Sequence, residues 1–113
     1  MSDLDGYQQA AARTLNLDLP HREQLSLGAL GLAGEGGEVV ELIKKALFHG
    51  TDLPREQLKK ELGDVLWYVA AIATASGLTL SEVASANVEK LRRRYPGGFS
   101  EAASLARVDL EGG

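Results

Sequence analysis

From Val65 to Ser81 the chain carries no charged residue, and up to Ala75 the run is apolar on nearly every side at helical spacing. A helix that is apolar all round has to be covered by other elements. Crossing a membrane would need ~20 predominantly apolar residues, whereas this run turns into Ser76-Gly77 and a polar helix start. The sequence therefore predicts the core helix of a soluble helical bundle. Its opening turn is unexpected, because Glu61-Leu62-Gly63-Asp64 sets two acids against apolar sequence. A second pair, Glu35-Gly36-Gly37-Glu38, lies between Leu32 and Val39. Residues three apart share a helix face, so two helices can aim these carboxylates at one point. Ionised carboxylates in such surroundings are costly unless a proton or a cation neutralises them.

Four helices account for most of the chain, and no alternating strand pattern is evident. The first is expected over about Asp3 to Leu15, capped by Asp3, with Ala10, Ala11 and Leu15 facing inward. The second spans about Arg22 to Phe48, with a stripe of Leu25, Ala29, Leu32, Val39, Ile43 and Leu47, and ends at His49-Gly50. After a turn ending at Pro54, the third runs from about Arg55 to Ala75. The fourth opens on Thr79-x-x-Glu82, a capping-box pattern, and continues to about Tyr95 before Pro96-Gly97-Gly98. The 113 residues are expected to form one domain, with an irregular tail over about 97–113. A chain this short gains stability from oligomerisation.

The net charge of −4 argues against nucleic acid as a partner. The absence of cysteine excludes disulfides and thiolate metal sites. No secretory pattern follows Met1, so the expected location is the cytoplasm.

Gly28, Gly31, Gly34, Gly36 and Gly37 crowd the second helix, although each interior glycine costs about 1 kcal/mol relative to alanine. Close approach of a neighbouring helix and open space beside Glu35 and Glu38 are two compatible explanations. A phosphate-binding loop is not, because no strand precedes the glycines and no Gly-Lys-Ser/Thr follows. All-carboxylate sites suit hard cations such as Mg²⁺, Mn²⁺ or Ca²⁺. A di-iron site would call for Glu-x-x-His, and neither His21 nor His49 has a glutamate three residues before it. Mg²⁺ commonly shares its coordination with substrate phosphates, and the fourth helix offers Asn87, Lys90 and Arg94 along one face, with Tyr95 just beyond. Lys45 lies two turns past Glu38. Tyr68, one turn past Asp64, either contacts substrate or serves as a core aromatic. Arg92 and Arg93 equally suit a solvated helix C-terminus.

Three segments in order carry a family resemblance: Gly34-Glu35-Gly36-Gly37-Glu38-Val39-Val40-Glu41, Glu61-Leu62-Gly63-Asp64-Val65-Leu66-Trp67-Tyr68, and Asn87-Val88-Glu89-Lys90-Leu91-Arg92-Arg93-Arg94-Tyr95-Pro96. Together with Tyr7-Gln8 and Arg13-Thr14, they resemble a MazG-like nucleotide pyrophosphohydrolase, of the all-α NTP pyrophosphatase superfamily that includes dimeric dUTPases and dCTP pyrophosphatases. The resemblance implies an all-α, four-helix bundle-type protomer assembling into a dimer or a dimer of dimers. It implies hydrolysis of a nucleoside triphosphate between its α- and β-phosphates, with Mg²⁺, or Mn²⁺ in its place, held by Glu35, Glu38, Glu61 and Asp64. Glu38 would orient or deprotonate the attacking water, Lys90 and Arg94 would clamp phosphates, and Asn87 and Tyr95 would assist. Tyr7 or Gln8 would reach a partner's nucleobase. Many members begin the first motif with two adjacent glutamates, whereas Gly34 stands first here. The same residues are also compatible with a metal-binding oligomeric interaction module that does not turn over substrate.

Overall fold

A computed structural model describes residues 3–99. Four helices follow one another: α1 (Leu4–Ala12), α2 (His21–His49), α3 (Arg55–Ala75) and α4 (Leu80–Arg94). Apart from one isolated bridge between Pro96 and Gly98, the described residues form no β-structure. No single helix among them is long and apolar enough to cross a membrane. The all-α, four-helix expectation holds. The expected tail falls on both sides of the boundary: 97–99 are non-helical, and 100–113 lie outside the described residues.

The helix ends follow local chemistry. Asp3 caps α1 by accepting from the backbone N–H of Gly6. Thr79 accepts from the Glu82 backbone while the Glu82 side chain returns to the Thr79 backbone, so the capping box forms as its spacing predicts. Gly50 closes α2 in the left-handed region, at φ 64°, where glycine has no Cβ to clash. Helix α1 is shorter than expected. Its exit tightens through 3₁₀-type bonds from Thr14 N to Ala11 O and from Leu15 N to Ala12 O. The Thr14 hydroxyl donates to Ala11 O and accepts from the Trp67 indole.

Helix α2 packs mainly on α3, α3 also on α1, and α1 on α4. The axes of α3 and α4 meet at 104°. Here the expected stripe on α2 needs correction. The buried positions are Gly28, Leu42 and Ala46, whereas Ala29 is exposed and Leu47 is 76% exposed. On α1, Ala11 is buried and Ala10 is not. The reason lies in side-chain size. A Cβ on Gly28 would stand 2.7 Å from Ile72 Cγ1, and one on Gly31 would stand 2.0 Å from Tyr68 Cε1. The smallest face of α2, not its most apolar one, therefore closes on α3. The expectation that α3 is covered on every side is likewise corrected. Its buried residues are Ala70, Ala71 and Ala73, while Leu62 and Leu66 remain exposed in the single chain.

Around Ala11, Ala70, Ala73 and Leu80 gather Tyr7, Trp67 and Val69. Polar bonds lock the same corner. Gln8 Nε2 donates to Thr74 Oγ1 and to Leu78 O, and Gln8 Oε1 accepts from Leu80 N. Asp5 accepts from both the backbone and the hydroxyl of Ser81. Both ends of the Gln8 amide are thus engaged by α3 and the α3–α4 turn of its own chain.

The two kinds of glycine on α2 predict opposite responses. Gly31→Ala should destabilise the fold by about 1–3 kcal/mol, because Tyr68 must shift to admit the methyl group. Nothing lies within 4 Å of a Cβ on Gly34, so Gly34→Ala should stabilise by about 0.5–1 kcal/mol. Urea unfolding of the two variants checks both signs.

Candidate metal and phosphate site

The α2–α3 seam that buries Gly28 and sets Gly31 under Tyr68 continues one turn further to Glu35. Across it, the first turns of α3 present Glu61 and Asp64. One carboxylate oxygen from each of Glu35, Glu61 and Asp64 falls within 4.8 Å of the other two. Glu35 and Glu61 are half-buried and Asp64 is exposed, so the cluster lies at the surface with an open side. Metal–oxygen bonds of 2.0–2.1 Å for Mg²⁺ and 2.3–2.6 Å for Ca²⁺ set ligands on opposite sides of an ion about 4–5 Å apart. The donor chemistry and the spacing therefore fit a hard divalent cation.

Electrostatics records the crowding. Burial, followed by the charges of Asp64, Glu61 and Glu38 and a hydrogen bond with Glu61, raises the Glu35 pKa above its ordinary 4.5. Burial, and then the charge of Asp64, also raises the Tyr7 pKa. Tyr7 therefore stands close enough to Asp64 to feel its charge.

The remaining expected site residues are less tightly gathered. Glu38 is exposed and stands outside the three-acid group, though near enough to act on Glu35. Tyr68 is half-buried, seated on Gly31 and edge-to-face with Trp67 at 4.9 Å between ring centroids. Lys45 and Asn87 are exposed, and Lys90, Arg94 and Tyr95 are half-buried. The Arg94 Nε is buried without a hydrogen-bond partner among the described residues, and Tyr95 packs against Phe99 at 5.8 Å. Arg92 pairs with Glu89 at 4.0 Å on an exposed face, a surface pair of little energetic weight.

Residues 23–99 match the MazG nucleotide pyrophosphohydrolase domain family. Gene 37 protein of Mycobacterium phage L5 is 39% identical to the chain over 108 residues, covering 88% of this chain and 95% of that protein. dCTP pyrophosphatase 1 of Bos taurus is 34% identical over 90 residues, and that of Mus musculus 33%. Each of those two alignments covers 74% of this chain and 53% of the relative, so this chain corresponds to about half of each dCTP pyrophosphatase. No solved structure gives a significant match. The chain belongs to the MazG nucleotide pyrophosphohydrolase family.

The raised Glu35 pKa has a signed consequence for stability. An acid whose pKa is higher in the folded state contributes stability that is complete below its unfolded value and is lost as pH rises through the folded value. Without metal, Glu35→Gln should therefore melt above the wild type at pH 7, and the gap should narrow as pH falls toward 4.5. Melting curves in chelator across that range test the sign.

Proposed function

We propose that this domain hydrolyses a nucleoside triphosphate between its α- and β-phosphates, releasing a nucleoside monophosphate and pyrophosphate. The observation that supports it most is the convergence of Glu35, Glu61 and Asp64 within 4.8 Å, inside the matched domain. In this reading those three carboxylates, with Glu38 as a fourth, hold Mg²⁺, for which Mn²⁺ can substitute. The bound cation supplies charge neutralisation on the phosphate oxygens and acidifies water.

The protein's own groups divide the remaining work. Glu38 is solvent-facing and outside the tight group, which suits a carboxylate that orients the attacking water and accepts its proton. Lys45, Lys90 and Arg94 supply positive charge to the phosphates, for which the planar guanidinium of Arg94 offers paired donors. Asn87 and Tyr95 add hydrogen bonds, and Tyr68 stands over the seam to meet the nucleoside.

A second copy of the chain is the partner we propose, as a homodimer or a homotetramer. Leu30, Val40, Leu47, Phe48 and Leu62 are all at least half exposed in the single chain, and apolar side chains left uncovered on α2 and α3 are what a second copy would bury. The proposed compartment is the cytoplasm and the proposed role is nucleotide-pool house-cleaning. Because two relatives are named dCTP pyrophosphatases, dCTP heads the list of substrates to try.

Incubation with each common NTP and dNTP plus Mg²⁺ should release pyrophosphate. Orthophosphate as the first product would contradict α,β-cleavage, and no turnover with any nucleotide would favour a binding module. Glu38→Gln should lower kcat by roughly 10²–10⁴-fold, the range for loss of a general base, while preserving the helical circular dichroism spectrum.

A further inference from the structure

The glycines of α2 and α3 divide into two sets. Gly28 and Gly31 lie under Ile72 and Tyr68, where a Cβ would clash. Gly34, Gly36, Gly37 and Gly63 meet nothing within 4 Å of an added Cβ, and each stands within two residues of Glu35, Glu61 or Asp64. Space does not explain this second set. At about 100° per residue, Gly36 projects roughly 200° round the helix from Gly34, so close packing against one neighbour does not account for both. Gly36 and Gly37 project roughly 130° to either side of the face shared by Glu35 and Glu38, so room beside the acids does not account for them either. What they share is a backbone property, because glycine loses more conformational freedom on joining a helix than any other residue.

They also occupy the part of α2 that lacks a buried residue. Between Gly28 and Leu42 no position is buried. The N-terminal part of α2 is anchored by Gly28 on Ile72, by Gly31 beneath Tyr68, and by His21 Nε2, which donates to Ala75 O at 2.9 Å. The C-terminal part is anchored where Leu42 and Ala46 are buried. Between the two anchors lies a turn of weak helix propensity that carries Glu35. Without a cation, repulsion among Glu35, Glu61 and Asp64, converging within 4.8 Å, acts to part that turn from α3. Few buried contacts and poor propensity are the conditions for local opening.

We propose that the turn Gly34–Gly37 is a hinge in α2 that opens reversibly when no cation is bound and is closed by one, so that metal binding and completion of the helix are a single event. The inference rests on the cation site of the function proposed above. A site that closes only around its ion binds it more weakly than a rigid one, in proportion to the fraction of time the turn is closed. The glycines beside the acids thereby set metal affinity without touching the metal.

Hydrogen exchange of the full chain, followed by mass spectrometry in chelator and in Mn²⁺, tests this. In chelator the amides of residues 34–41, whose helical bonds start or end in the turn, should exchange faster than those of 24–32 and 43–48. Mn²⁺ at about 100 times its dissociation constant should slow residues 34–41 by about 100-fold, as for a ligand that binds only the closed form. In chelator, Gly34→Ala and Gly37→Ala should each slow the same amides about two- to fivefold, the difference in helix propensity. Ala33→Gly, at an exposed position on α2, should speed them by the same factor. Uniform exchange along α2 in chelator, or no response to either alanine, overturns the hinge. So does a change of oligomeric state in Gly34→Ala or Gly37→Ala by size-exclusion chromatography, which would assign the glycines to a subunit contact. Mn²⁺ binding seen by electron paramagnetic resonance without added protection of 34–41 overturns the hinge alone, whereas absence of Mn²⁺ binding overturns the cation site on which it rests.

Discussion

Everything at the site depends on how closely α2 and α3 approach. The contact is made where Gly28 meets Ile72 and Gly31 lies beneath the Tyr68 ring, at distances that leave no room for a methyl group. Each interior glycine costs a helix about 1 kcal/mol relative to alanine, and at these two positions the loss is offset by packing that a larger residue would prevent. The consequence lies one turn further on. With the backbones this close, short acidic side chains from both helices reach a common point, and Glu35, Glu61 and Asp64 converge within 4.8 Å. A wider seam would leave the same acids as separate solvated groups.

That convergence is electrostatically unfavourable by itself. Burial, and then the charges of Asp64, Glu61 and Glu38, raise the Glu35 pKa, and burial followed by the charge of Asp64 raises that of Tyr7 on α1. Perturbed acids of this kind occur at functional sites because the work they do requires the crowding. The α1 corner helps to hold it: Gln8 and Asp5 tie α1 to the start of α4, and Trp67 ties the end of α1 to α3. Three helices therefore set the acids and the neighbouring aromatic wall in one frame.

Much of this was legible in the residues. The helices, the capping box at Thr79 and the left-handed cap at Gly50 follow from local chemistry, which spacing and residue type express directly. Glu61 and Asp64 were legible for the same reason, and so was Glu35. The rotation of α2 was not. Counting apolar residues favoured the face of Leu25, Ala29 and Leu47, whereas the seam selected the line through Gly28, Glu35, Leu42 and Ala46. Hydrophobicity cannot show that the smallest face will be innermost, although the glycines were the visible signal. The same rotation keeps Glu38 outside the tight group.

The central claim is that these three carboxylates form one cation site rather than a crowded surface. Titration of Mn²⁺ into the purified chain, followed by electron paramagnetic resonance, addresses it directly. Saturable binding in the wild type, with losses of comparable size in Glu35→Gln, Glu61→Gln and Asp64→Asn, is the expected result. Absence of saturable binding, or wild-type affinity in any one of these three variants, would contradict it.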